Sequence, residues 1–147
     1  MPMTQEKVAD LRLKYLEMVQ AIVTRMAGYS ATLKNFCLTI VTAIGGYAIM
    51  TKAPTILALG LLPIIIFALL DALYLRLERR FRCLYDVIRQ EDWTAMPSFE
   101  ITLTHVKATP LKDVFLSWSI GMFYIPLATG LVLTFLVVEM LNVAFYH

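Results

Sequence analysis

The chain has 147 residues, 59% of them apolar, with a formal net charge of +2 and two cysteines. That apolar content exceeds the roughly 45–50% of soluble globular domains and argues against water as the only solvent. The slight basic balance, diluted by interleaved carboxylates, argues against nucleic acid as a partner.

Charged residues leave three intervals empty, 35–51, 53–70 and 114–138, comparable with the roughly 20 residues needed to cross a hydrocarbon core. The expected fold is an all-α membrane protein with three transmembrane helices, a long amphipathic N-terminal helix and a cytoplasmic extension of the second span. Four segments follow: a cytoplasmic helix over residues 1–34, a transmembrane hairpin over 35–76, a cytoplasmic helix and connection over 77–113, and the third span over 114–147.

The first segment mixes Glu6, Asp10 and Glu17 with Lys7, Arg12, Lys14 and Arg25, so no cleaved signal peptide is expected. From Val8 the apolar residues recur at Leu11, Tyr15, Met18, Ile22, Met26, Tyr29 and Leu33, which predicts a helix with one apolar face and Thr4 as its N-cap. That stripe either packs against the helix following Tyr74, or lies on the membrane surface or seals an oligomer. Gly28 and Ser30 predict a bend, and Asn35 a fresh helix start.

In the hairpin, Gly45 and Gly46 on the first span and Ala58, Gly60 and Ala68 on the second predict close backbone approach. Pro54 suits the first turn of the second helix, whereas Pro63 lies inside it and predicts a kink. Pro63 and, in the third span, Pro126 are candidate hinges. Asp71 ends the second span and is expected to accept hydrogen bonds from a neighbouring helix or an Arg. Glu139 follows a long apolar run and fits the far interface, or in an oligomer a pore lining.

Beyond Asp71 a helix to about Gln90 would place Leu73, Leu77, Phe81, Leu84 and Ile88 on one face. Arg82 is spaced for ion pairs with Glu78 and Asp86. Arg76, Arg79, Arg80, Arg82 and Arg89 form a candidate surface for a partner or for anionic lipid headgroups, although the topology rule for basic loops accounts for them equally. Residues 99–106 alternate apolar and polar without a second strand in view, so they run irregularly or pair with another chain. Thr109 and Pro110 look like an N-cap and first-turn proline opening the last helix.

Both Lys/Arg-rich segments belong on the cytoplasmic side, which places the N-terminus in the cytoplasm and the C-terminus in the periplasm. Cys37 and Cys83 are read as reduced thiols. The only histidines, His105 and His147, fall on opposite sides of the membrane. Phosphate-binding loops and nucleophile motifs are absent. No enzyme activity, metal or cofactor is expected.

The stretch Ile22, Arg25, Met26, Ala27, Ser30, Leu33 and Lys34, then Pro63, and then the Leu-Asp-x-x-Tyr-Leu-Arg-x-Glu-Arg-x-Phe-Arg-x-Leu-Tyr-Asp run from Leu70 to Asp86 resembles an uncharacterised family of small bacterial inner-membrane proteins. More loosely, the hairpin with its cytoplasmic helix resembles the SLATT class of membrane effectors of anti-phage systems. The resemblance implies a polar framework of Arg25, Asp71, Arg76, Glu78, Arg79, Arg82 and Asp86. Leu73, Leu77, Arg80 and Cys83 depart from the commoner pattern, which has aromatic or polar residues there.

The expected function is therefore that of a non-enzymatic membrane effector, or membrane subunit, of a bacterial defence system. It would sit in the inner membrane among lipids as a homo-oligomer, triggered by a soluble partner encoded nearby. Two alternatives stand beside it: a scaffold recruiting a soluble defence enzyme without forming a pore, and a small transporter or lipid-binding protein using Asp71 and the arginines.

Overall fold

The computed structural model describes residues 4–104, 106–107 and 109–146, the side chains of 145 and 146 excepted; His105 and His147 thus lie outside the described residues. The protein is all-helical: α1 (Gln5–Thr51), α2 (Pro54–Leu59), α3 (Leu61–Gln90), α4 (Leu111–Phe115) and α5 (Trp118–Tyr146). Three helical segments, α1, α2 with α3, and α5, are long and apolar enough to cross a membrane, and the chain is a multi-pass membrane protein. Most of each span's apolar surface points outward, with Phe36, Ile49, Leu62, Ile65, Ile125 and Val137 all exposed. Such a surface suits lipid and would be unfavourable in water.

α1 is unbroken for 47 residues, a rod of about 70 Å at 1.5 Å per residue. The new start expected at Asn35 does not occur and no break falls at Gly28, so the 34/35 boundary lies inside continuous helix. Both residues keep helical geometry because neighbouring turns supply backbone partners, and a Cβ at Gly28 would meet nothing within 4 Å. Thr4 stands at the N-cap position but makes no side-chain capping bond. The other end closes with Lys52 in the left-handed region (φ 52°), where Lys52 N–H donates to Ile49 O and Ala53 N–H to Ala48 O, the Schellman arrangement.

Pro54 opens α2 as expected. The interruption that Pro63 predicts falls at Gly60, one turn upstream and next to Leu59, whose carbonyl the proline's missing N–H would have bonded. Gly60 is tightly covered by α5, since a Cβ there would stand 3.0 Å from the Leu131 side chain. Gly45 and Gly46 do not mediate the expected approach: a Cβ at either meets nothing within 4 Å. Pro126 lies inside uninterrupted α5. Pro110 takes the N-cap position of α4 instead of its first turn, and the last helix is split at Leu116 and Ser117.

α1 and α3 run antiparallel and pack along much of their length, forming two cores. The membrane core gathers Cys37, Val41 and Ala48 of α1 with Leu57, Ile64 and Ala72 and with Ile120, Tyr124, Leu131 and Val138 of α5. The second core, at the end remote from the α1–α2 turn, joins Tyr15, Leu16 and Val19 to Leu84, Ile88 and Val106. The N-terminal stripe therefore packs on the helix beyond Tyr74. Its buried line is Val8, Arg12, Tyr15, Val19, Val23 and Ser30, displaced from the expected one, so that Met18 and Tyr29 are exposed. On α3, Leu73 is likewise exposed, and Asp71, Ala72 and Glu78 are buried in its place. Residues 91–110 cross this platform as an irregular strap without strand among the described residues.

Candidate functional site

Two charged assemblies stand out, one where the spans meet the platform and one at the platform's far end. In the first, fully buried Asp71 meets Lys34 Nζ at 2.7 Å and accepts a bond from Ser30 Oγ at 2.5 Å. Lys34 also donates to Ser30 Oγ at 2.9 Å and to Ser119 Oγ of α5 at 3.4 Å. One layer thus ties all three spanning elements. Asp71 takes its bonds from the neighbouring helix, as one of the two expectations had it, while Arg76 turns elsewhere. Burying a carboxylate is costly unless it has such hydrogen-bond and ion-pair partners. From this layer to the α1–α2 turn, α1 advances 17 residues, about 26 Å, close to the thickness of a hydrocarbon core.

The second assembly centres on Arg12, which is 1% exposed. Its guanidinium donates to Ile88 O at 3.3 Å, Glu91 Oε2 at 2.8 Å, Asp92 O at 2.9 Å and Ala95 O at 3.0 Å. Ile88 O lies in the last turn of α3, where it also accepts the cap N–H of Glu91 at 3.4 Å, and a cation there is favoured by the helix dipole. Tyr15 Oη donates to Glu100 O at 2.6 Å, and its ring lies 5.4 Å from that of Phe99, whose backbone is left-handed at φ 57°. Burial, ahead of a lowering bond from Ser98, holds the Tyr15 hydroxyl above its ordinary pKa. Bonds from the N–H and hydroxyl of Thr94 hold Asp92 below the usual carboxylate value.

The expected arginine surface divides. Arg76 Nε donates to Thr109 O at 2.9 Å and Arg80 to Leu103 O at 2.8 Å, so both clip the strap to α3. Arg79 reaches Asp113 O at 3.4 Å. Arg82 pairs with Glu78 at 2.7 Å; Asp86 is 3.5 Å from Arg89 instead of joining Arg82. Arg25 makes no ion pair among the described residues and lines a groove of about 630 Å³ with Leu13, Glu17, Gln20 and Tyr85.

At the opposite end Asn142 Nδ2 donates to Lys52 O at 3.0 Å, and half-buried Glu139 lies one turn before it. Between α1 and α5, at membrane depth, Thr42, Gly45, Gly46, Pro126, Gly130 and Thr134 help line a groove of about 430 Å³. Cys37 is buried and Cys83 exposed, both as free thiols. Among the described residues no three His, Cys, Asp or Glu side chains converge on a metal-sized site.

Sequence reasoning missed Arg12 and Lys34 as site residues. For Arg12 a signal existed: it stands four residues after Val8 and three before Tyr15, on an otherwise apolar line. In comparisons with protein families, with curated proteins and with solved structures, nothing matches the chain.

Proposed function

We propose that the protein is a non-enzymatic membrane effector, or membrane subunit, of a bacterial anti-phage system, in which a platform on the cytoplasmic side receives a partner or signal and the spans respond by self-association. The observation that supports this reading is the unbroken course of α1 from Gln5 through the platform and across the membrane to Thr51. A rod clasped to α3 at Arg12 and again at Lys34 transmits a push at the platform into the membrane without a joint to absorb it. Three spans are too few to enclose a conducting path, so a breach of the membrane requires several copies.

The test is membrane potential in cells expressing the chain with its genomic neighbours, recorded during phage challenge, for the native protein and for Ala31→Pro. A proline inside α1 removes a backbone bond and costs about 3 kcal/mol, so depolarisation should be lost while membrane insertion persists. If the native protein never depolarises challenged cells, the effector reading fails and a scaffold that recruits a soluble enzyme replaces it.

A further inference from the structure

The division of the arginines has a direction. Arg82 and Arg89 each face a carboxylate, whereas Arg76, Arg79 and Arg80 meet only backbone carbonyls. A guanidinium carries five N–H donors. Arg76 uses Nε alone and Arg79 one terminal nitrogen at a long 3.4 Å, so both keep their full charge and spare donors. Their acceptors, Thr109 and Asp113, flank exposed Lys112, which has no ion pair among the described residues. Three uncompensated cations thereby gather at α4 against one exposed carboxylate, that of Asp113.

The next residues along the chain are apolar and bare. Leu116 at 85% and Trp118 at 78% exposure are the two most exposed large apolar side chains among the described residues. Trp118 adjoins Ser119, which contacts Lys34 in the polar layer ending the spans, and exposed Met122 and Ile125 continue onto the lipid-facing side of α5. A tryptophan at this level, with cations on its aqueous side, suits the membrane–water boundary.

We propose that this corner is a binding site for an anionic phospholipid: Arg79 and Lys112 hold the headgroup phosphate, Arg76 adds charge behind them, and Trp118 and Leu116 rest at the top of the acyl chains. The site selects for net negative charge because its three cations face a single protein carboxylate, that of Asp113, each cation contributing about fivefold in affinity near an anionic surface. Arg82 and Arg89, already neutralised, lie outside it.

Full-length protein carrying Trp93→Phe retains Trp118 as its only tryptophan. In phosphatidylcholine bilayers, a minor fraction of brominated phosphatidylglycerol should quench its fluorescence more than the same fraction of brominated phosphatidylcholine. Adding Arg79→Gln and Lys112→Gln should reduce that preference about 25-fold, whereas Arg82→Gln with Arg89→Gln should leave it intact. Equal quenching by the two lipids in the Trp93→Phe protein overturns the proposal without recourse to the charge variants. It is also overturned if the preference survives loss of Arg79 and Lys112, or if millimolar inorganic phosphate abolishes it, since the site would then take the free anion.

Discussion

Replacing Arg12 with Met removes a guanidinium held by four acceptors while keeping much of its apolar stem. The Glu91 arm carries little of the energy, because that carboxylate is 46% exposed and a pair open to solvent on one side is worth about 0–1 kcal/mol. The three carbonyl arms matter more: Ile88, Asp92 and Ala95 accept from a buried cation, and bonds to charged groups contribute about 1.5–3 kcal/mol each. They share one guanidinium and do not add fully, and truncation leaves carbonyl acceptors without that donor, so the net loss should be about 3 kcal/mol. The loss is local, since the membrane core shares no residue with the platform core.

Amide hydrogen exchange on the full-length protein in detergent should therefore show at least about 100-fold faster opening across residues 88–104, with residues 120–138 unchanged. Arg12→Lys should recover only part of the protection, because an ammonium lacks the planar fork that spans the helix end and the strap. Exchange in the strap within tenfold of the native rate, or equal acceleration in the spans, would refute the clasp.

The Lys34–Asp71 pair predicts a different pattern. Asp71→Asn or Lys34→Met alone should destabilise by about 3–5 kcal/mol, and Lys34→Met with Asp71→Leu should recover most of that, as thermal unfolding in detergent would register; single variants as stable as the native protein would show the layer to be incidental. Alkaline pH should release the strap through Tyr15. Burial raises its folded pKa above the ordinary 10.0, so its contribution is fully present below pH 10 and lost as pH rises through the folded value. Strap exchange corrected for intrinsic rate should rise there, and Tyr15→Phe should abolish that step.

How much of this was legible in the sequence depended on whether a residue's role was set by its neighbours in the chain or by another element. The three spans, the opening of α2 at Pro54 and the Glu78–Arg82 pair follow from composition and local spacing, and all are present. The irregular strap was one of two open alternatives, because residues 99–106 alternate without a partner strand. Its path is set by Arg12, Arg76 and Arg80, which bind its carbonyls, and carbonyl acceptors leave no trace in side-chain sequence. The same blindness displaced the stripe on α1: the apolar pattern runs through Leu11, whereas burial against the α3 terminus puts charged Arg12 on the buried line. Gly45 and Gly46 misled in the opposite sense, since small residues permit close approach but do not say which neighbour makes it.

Those two glycines bear on where the bundle can yield. α1 and α3 are fastened at Arg12, at Lys34 and through the Lys52 turn, whereas α5 is held by its share of the apolar core, a 3.2 Å bond from Tyr124 to Phe67 O, the long Lys34–Ser119 bond at one end and the Asn142 bond to Lys52 O at the other. Between α5 and α1 the groove at Gly45, Gly46 and Gly130 leaves space that no side chain fills. Close-packed interfaces resist small displacements, and unfilled ones do not. A push on the platform therefore carries α1 and α3 together and meets least resistance against α5. Since α5 is joined to the platform by the strap as well as by the long Lys34–Ser119 and Arg79–Asp113 bonds, the arginine–carbonyl clips that seat residues 91–110 help set how far that helix can move.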